Sequence, residues 1–251
     1  MWGKRIIDMT RITDEYVKRQ QFLNPNLDIS HRCIIRCPLC IRQKMISQNK
    51  IKRSFDIEEK DFRKILDFYV KDIAFCGQIS DPIYHPNFLS FLKICNDTNR
   101  QVRISTNGTG KDLKWWEEAF SYGKSNNEWW FGVDGIDNKS ELYRVGSNFE
   151  NVWEMMKLGK KLGNVIVWQF IIFKYNEHEI DEAIEIAKRE GFALKFVKSD
   201  RVFKLNKYEL RKGVKVDLLQ PSTEHLSDRI KTEYWGNKTP ELDSWDKKRK
   251  I

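Results

Sequence analysis

Apolar positions along this chain recur in two alternating rhythms. Short runs of strand character at residues 27–29, 73–75, 101–105, 129–133, 165–172 and 194–197 are separated by stretches whose apolar residues return every three or four positions. In residues 57–70, Phe62, Ile65, Leu66 and Tyr69 fall on one helical face. Residues 86–95, 111–120 and 148–162 read as further helices, and residues 177–191 as an amphipathic helix closed by Gly191. Strand and helix in repeated alternation predict an α/β fold with a parallel sheet, because parallel neighbours need a crossover that a covering helix supplies. In such sheets chemistry collects at the carboxyl ends of the strands, so the loops that follow each run are the ones to inspect.

Length and composition bound what surrounds those loops. A chain of 251 residues can bury a substantial core and fits one domain of barrel size, with or without a short extension. The periodic pattern ends near residue 198, so residues 1–198 are expected to form the α/β domain. Residues 199–251 form a polar extension: a closing helix and loop, a lid, or a partly disordered tail. The start of the chain has no apolar signal core, and no run approaches the roughly 20 apolar residues of a membrane span. A soluble cytoplasmic protein is therefore expected, and five cysteines with three in one loop fit a reducing compartment better than a disulfide scaffold. The net charge of +9 favours anionic partners, nucleic acid among them. Both signs are well represented within the 32% of charged residues, and basic and aromatic residues are not interleaved as in a nucleic-acid module.

The first loop carries the most informative chemistry. Cys33, Cys37 and Cys40 stand in a C-x3-C-x2-C spacing. Three thiolates so close together repel unless a cation or an iron-sulfur cluster neutralises them. Three ligands would leave one iron of a cubane cluster without a protein ligand, and reactive chemistry becomes possible there. Zinc is the alternative, with His31 as a fourth ligand, although Cys76 and Cys95 supply no second C-x2-C pair.

This cysteine spacing resembles the signature of the radical S-adenosylmethionine (SAM) superfamily, and later motifs follow in matching order over residues 27–198. The resemblance implies a partial (β/α)6 barrel of the TIM type, a [4Fe-4S] cluster on Cys33, Cys37 and Cys40, and SAM chelating the fourth iron. After the second strand, Gly77, Asp81 and Pro82 are similar to a stretched form of the segment whose backbone meets the SAM amino group. After the third, Ser105-Thr106-Asn107-Gly108 resembles the segment near the ribose and carboxylate. After the fourth, Val133-Asp134-Gly135 and then Arg144-Val145-Gly146 resemble the molybdenum-cofactor synthase and peptide-maturase branches, which implies Arg144 beside the SAM carboxylate. An ion pair with Glu141 is the structural alternative for Arg144.

Other positions carry structural expectations. Asn176 and Glu179 read as a capping box opening the last helix. His178 is expected on the surface and Cys76 as a buried thiol, while period alone does not decide which way Gln169 points. Leu39 stands where the superfamily usually has an aromatic near the adenine, and residues 199–251 hold no cysteines, unlike the cysteine-rich extensions of peptide maturases.

The resemblance implies reductive cleavage of SAM to methionine and a 5′-deoxyadenosyl radical, which takes hydrogen from a peptide or small-molecule substrate. The electron would come from a donor such as flavodoxin or ferredoxin. No catalytic residue is assigned, with Tyr143, Tyr175 and Cys76 as candidates for a hydrogen donor. Radical modification of a nucleobase and a nonenzymatic metal-binding module are the alternatives.

Overall fold

A computed structural model of the protein describes Lys18, Gln21, residues 23–52, residues 54–197 and Pro221. The expected extension at residues 199–251, Pro221 aside, lies outside the described residues. Six strands form one parallel sheet in sequential order: β1 (Asn26–Leu27), β2 (Ile73–Phe75), β3 (Val102–Thr106), β4 (Asn127–Gly132), β5 (Val165–Ile171) and β6 (Ala193–Val197). The helices are α1 (Ile41–Ser47), α2 (Glu59–Phe68), α3 (Phe88–Asp97), α4 (Leu113–Ser121), α5 (Phe149–Lys161) and α6 (Ile180–Glu190). This is the parallel α/β sheet that the alternation predicts, in the partial barrel that the resemblance implies.

The helix boundaries follow local chemistry. Asp112 and Asn148 accept hydrogen bonds from the Trp115 and Asn151 N–H groups at 2.8 Å and so start α4 and α5. At the end of α6, Gly191 takes φ +69°, its N–H meets Lys188 O, and the Phe192 N–H reaches Ala187 O. That pair of bonds is a Schellman stop, with Phe192 buried beneath it. The predicted helix over residues 57–70 is shorter in fact, because Tyr69 is already extended.

The two faces of the strands differ. Trp129 and Phe131 of β4 and Ile166, Trp168 and Phe170 of β5 point outward into the helix layer and are buried there. Trp116 packs edge-on to Trp129 at 5.5 Å, and Trp153 to Trp168 at 4.9 Å. The alternate residues face inward. Near the amino ends they form a closed floor: Arg103 Nε donates to Glu128 Oε2 at 2.9 Å, and Trp130 Nε1 donates to the same oxygen at 3.0 Å. The Arg103 guanidinium lies 4.3 Å from the Trp130 ring centre. Towards the carboxyl ends the inward residues are Cys76, Ser105, Gly132, Gln169 and Val197, which face a cavity.

One departure shapes that end. The chain leaves the sheet after Leu27, earlier than the run 27–29 suggests, and pairs with residues 55–57 instead. Ile57 N donates to Ile29 O, His31 N donates to Phe55 O, and Ser30 bridges Asp56 antiparallel. Asp56 also takes Ser30 Oγ at 2.8 Å and a forked pair from Arg32, which fixes the start of the cysteine loop. Helix α1 begins directly after Cys40 with no side-chain cap, and sequence periodicity gave no sign of it.

Candidate functional site

A cavity of about 340 Å³ opens at the carboxyl ends of the strands. Cys33, Cys37 and Cys40 line it together with Gly77, Asp81, Ser105, Asn107 and Arg144. Residues separated by more than 100 positions thus meet in one place. All five cysteines are free thiols.

The cysteine loop is held from behind. Ile35, Cys37, Leu39, Tyr143, Phe173 and Tyr175 form a small apolar cluster, and Arg36 N donates to Val145 O at 2.8 Å. Leu39 is buried in that cluster. His31 is not a fourth ligand: its Nδ1 is 2.8 Å from Lys52 O and its ring packs on Phe55. Among the described residues, no three His, Cys, Asp or Glu side chains converge as ligands of a single ion. The thiols instead share a cavity wall, an arrangement that fits a polynuclear cluster with each cysteine on its own iron.

Asp81 organises the adjoining wall. Its Oδ2 accepts from Asn107 N at 2.7 Å, from Thr106 Oγ1 at 3.1 Å and from Asn107 Nδ2 in a short contact. Its Oδ1 caps the turn at Pro82–Tyr84 through Ile83 N. Burial pushes the Asp81 carboxyl up to about 6 against these hydrogen bonds. Asn107 in turn places its Nδ2 3.7 Å from Cys33 Sγ and accepts the Tyr84 hydroxyl at 3.1 Å. Asn107-Gly108 is therefore no free tight turn but a braced strand exit.

Gly77 has φ +56°, and a Cβ there would stand 2.7 Å from Ser80 O. Only glycine fits this backbone without strain. Asp28 holds the same loop through Ile79 N and Ser80 Oγ.

Arg144 reaches the cavity from the loop after β4. Asp134 Oδ2 lies 2.8 Å from Arg144 Nε, and Asp134 Oδ1 accepts Ile171 N at 2.9 Å. Burial alone would lower the guanidinium's proton affinity, but Asp134, with Cys37 and Tyr143 beside it, holds Arg144 above its ordinary value. The alternative partner Glu141 is elsewhere, accepting from Phe149 N. Asp134 is fully buried and stands one layer behind the wall, so it positions Arg144. A Cβ on Gly132 would lie 2.4 Å from Arg144 Nη2, so the absence of a side chain on β4 makes room for the guanidinium.

Three expectations change. Cys76 is half-buried and lines the cavity, because it falls on the inward face just past β2. Asn176 makes no capping box: its Nδ2 donates to Asp134 O and Ile171 O at 2.9 Å, and its Oδ1 accepts Phe173 N. It is a buried bracket between the exits of β4 and β5. Glu179 is likewise buried, accepting from Ile136 N and Lys139 Nζ. Gln169 points inward to the cavity while Phe170 faces the helices, and His178 is exposed, with 65% of its side chain open to solvent. Arg42 and Gln43 of α1 also line the cavity and were missed, since they depend on a helix that periodicity did not reveal. Tyr143 reaches the cavity; Tyr175 packs behind it.

The site's chemistry is that of a pocket for a metal cluster and a small zwitterionic ligand: thiols on one side, then glycine backbone, hydroxyl, amide and guanidinium. The residues fit a [4Fe-4S] cluster with SAM. Among the described residues, no helix is long and apolar enough to cross a membrane.

The profile described as Radical SAM superfamily matches residues 27–197. A Pyrococcus furiosus relative, the tungsten-containing aldehyde ferredoxin oxidoreductase cofactor-modifying protein, is 31% identical over 87 residues, covering 33% of this chain and 23% of that one. In fold the chain is similar to Streptococcus suis SuiB bound to S-adenosylmethionine, with TM-score 0.59 and 12% identity over 94% of this chain and 51% of SuiB. It is similar also to SuiB bound to precursor peptide SuiA, with TM-score 0.58 and 14% identity over 78% of this chain and 45% of SuiB. Methylornithine synthase PylB matches with TM-score 0.55 and 13% identity over 84% of this chain and 65% of PylB. The chain thus spans about half the length of SuiB, and the match to the Pyrococcus relative about a quarter of that protein.

Proposed function

Because this chain belongs to the radical SAM superfamily, an enzyme family that uses a [4Fe-4S] cluster and SAM, we propose that it abstracts hydrogen from a peptide or small metabolite. The observation that carries this reading is the meeting of Cys33, Cys37 and Cys40 with Gly77, Asn107 and Arg144 around one cavity. When bound, the cluster and SAM supply a 5′-deoxyadenosyl radical and methionine at the cost of one electron.

The chain's own residues do the rest. The three cysteines hold three irons, and the backbone at Gly77 takes the SAM amino group. Arg144, oriented by Asp134, pairs with the carboxylate as a fork. Asn107, fixed by Asp81, and Ser105 serve the ribose. Gln169, Tyr143 and Val197 form the part of the wall left for substrate. The substrate class is taken from neighbours of like fold: SuiB is bound to a precursor peptide, and PylB is named for an amino-acid product.

The test is 5′-deoxyadenosine formation by the anaerobically reconstituted protein with SAM and dithionite. Product is expected from the natural sequence and none from Cys37→Ala. A full cluster that yields no product, with or without peptide and amino-acid candidates, would count against the reading.

A further inference from the structure

The cysteine loop is tied shut by an arginine. Arg42 is the second residue of α1, two positions past Cys40, and its Nε donates at 2.8 Å to His31 O, two positions before Cys33. One side chain thus joins the two ends of the loop that carries all three cluster cysteines. Beside it, Gln43 Nε2 reaches Ile35 O in the middle of the loop at 3.4 Å. Both side chains line the cavity.

The rest of the Arg42 guanidinium has no partner. Arg42 is only 7% exposed, yet its two terminal nitrogens meet no acceptor among the described residues. No acidic residue stands in the first turn of α1. Asp81 is the one carboxylate among the described residues of the cavity wall, and it makes no ion pair with Arg42. Both its oxygens are taken, Oδ2 by Thr106 and Asn107 and Oδ1 by Ile83 N. Arg144, the other cation of that wall, is matched by Asp134. A guanidinium buried without an anion is costly, so the counter-charge of Arg42 has to come from what fills the cavity.

Three occupants compete for that place. SAM brings a sulfonium and an ammonium against one carboxylate, and the carboxylate goes to Arg144, so SAM adds positive charge. A substrate anion would be there for only part of each turnover, whereas a buried cation needs its counter-charge throughout. The cluster is the permanent anion, since a cubane core with two positive charges on three thiolates is negative by one, and by two once reduced. The Arg42 charge also reaches Cys33.

We propose that Arg42 is the counter-ion of the cluster and raises its reduction potential. This rests on the cluster assignment above. The guanidinium, held in place by His31 O, attracts the reduced cluster more strongly than the oxidised one, because reduction adds a negative charge beside a fixed positive one. In that step one electron passes from the reductant to the core; no bond breaks and no proton moves. Removing the charge makes the cluster harder to reduce without touching a ligand thiol or Arg144.

The test is a potentiometric titration of the reconstituted full chain without SAM, with dithionite as reductant and the reduced cluster counted by electron paramagnetic resonance. Arg42→Gln should leave the ratio of reduced to oxidised cluster about tenfold lower at a fixed potential, a downward shift of about 59 mV for one electron. Arg42→Lys keeps the charge and should shift less than half as far. The proposal is overturned if Arg42→Gln holds a full cluster at the natural potential, which would leave the guanidinium to a substrate anion. It is also overturned if both variants shift equally, which would make Arg42 a packing residue. Where Arg42→Gln does not hold a full cluster, protein grown on arginine labelled with heavy nitrogen decides. Its reduced cluster should show nitrogen coupling in electron spin-echo spectra, and the coupling should persist in Arg144→Lys; its absence there overturns the proposal. A natural protein that forms no 5′-deoxyadenosine while Arg42→Gln shows the shift would count against the proposed function and leave Arg42 as the counter-ion. Product formation with no shift would do the reverse.

Discussion

The outward and inward faces of the same strands are built to opposite rules. Outward, Trp129, Phe131, Trp168 and Phe170 sit among aromatic helix residues, and polar groups are few; Trp168 Nε1 donates to Val133 O at 2.7 Å, whereas Trp129 Nε1 meets no acceptor. Inward, one residue away on the same backbone, come Glu128, Gly132 and Gln169. Every second position serves stability and every other serves the cavity. A substitution's effect should therefore depend on parity along the strand more than on depth in the molecule.

The largest effect is expected outward. Trp168→Ala removes a fully buried ring 4.9 Å from Trp153 and leaves Val133 O without its donor. About 3–5 kcal/mol of stability should be lost, as measured by urea unfolding. SAM affinity per folded molecule should stay near the natural value. A variant of full stability with lost SAM binding would break the comparison.

Gly132→Ala should do the reverse. The new methyl group crowds the Arg144 guanidinium, whose Nη atoms have to turn out of line with the ligand while Nε stays beside the buried Asp134. SAM affinity is expected to fall about tenfold, equal to about 1.4 kcal/mol, in anaerobic equilibrium binding, with an unfolding midpoint near the natural one. Equal loss in both measurements would mean that Arg144 holds the barrel together rather than the ligand.

The smallest effect sharpens the outward rule at its polar exception. His85 is buried against Phe91; its Nε2 lies 2.9 Å from Ile57 O and its Nδ1 accepts Asn87 N at 3.0 Å. Accepting from Asn87 N needs an unprotonated Nδ1 while Nε2–H donates to Ile57 O, which is the neutral ring, and burial lowers its affinity for a proton below the ordinary 6.5. A depressed histidine stabilises the fold fully above the unfolded value, near pH 6.5, and loses that contribution as pH falls through the folded value. Asp81, raised to about 6, acts in the opposite direction, since its contribution grows as pH falls from 6 towards 4. The informative quantity is thus the difference between the natural protein and His85→Gln, which should shrink from pH 7.5 to pH 5.5 in denaturant titrations.

Local pattern explains what could be read in the sequence. The strands were visible because Trp129-Trp130-Phe131 in β4 and Val165-Ile166-Val167-Trp168 in β5 are the short continuous apolar runs of buried strands. The cysteine loop was visible because its three ligands are local. Asn176 was misread because Asn-x-x-Glu is equally the pattern of a helix cap, and its true partner, Asp134 O, is 42 positions away in sequence. The pairing of Arg144 with Asp134 rather than Glu141 depends on the loop after β4 folding back on itself over ten positions, which no periodicity encodes. Helix α1 escaped because it is seven residues long, uncapped by a side chain, and exists to carry Arg42 and Gln43 to the cavity.

The floor of Arg103, Glu128 and Trp130 pairs a cation with an anion beneath the cavity. Such a base carries no net charge, so the field that a ligand meets is set at the rim, by Arg144, Asp81 and the thiols.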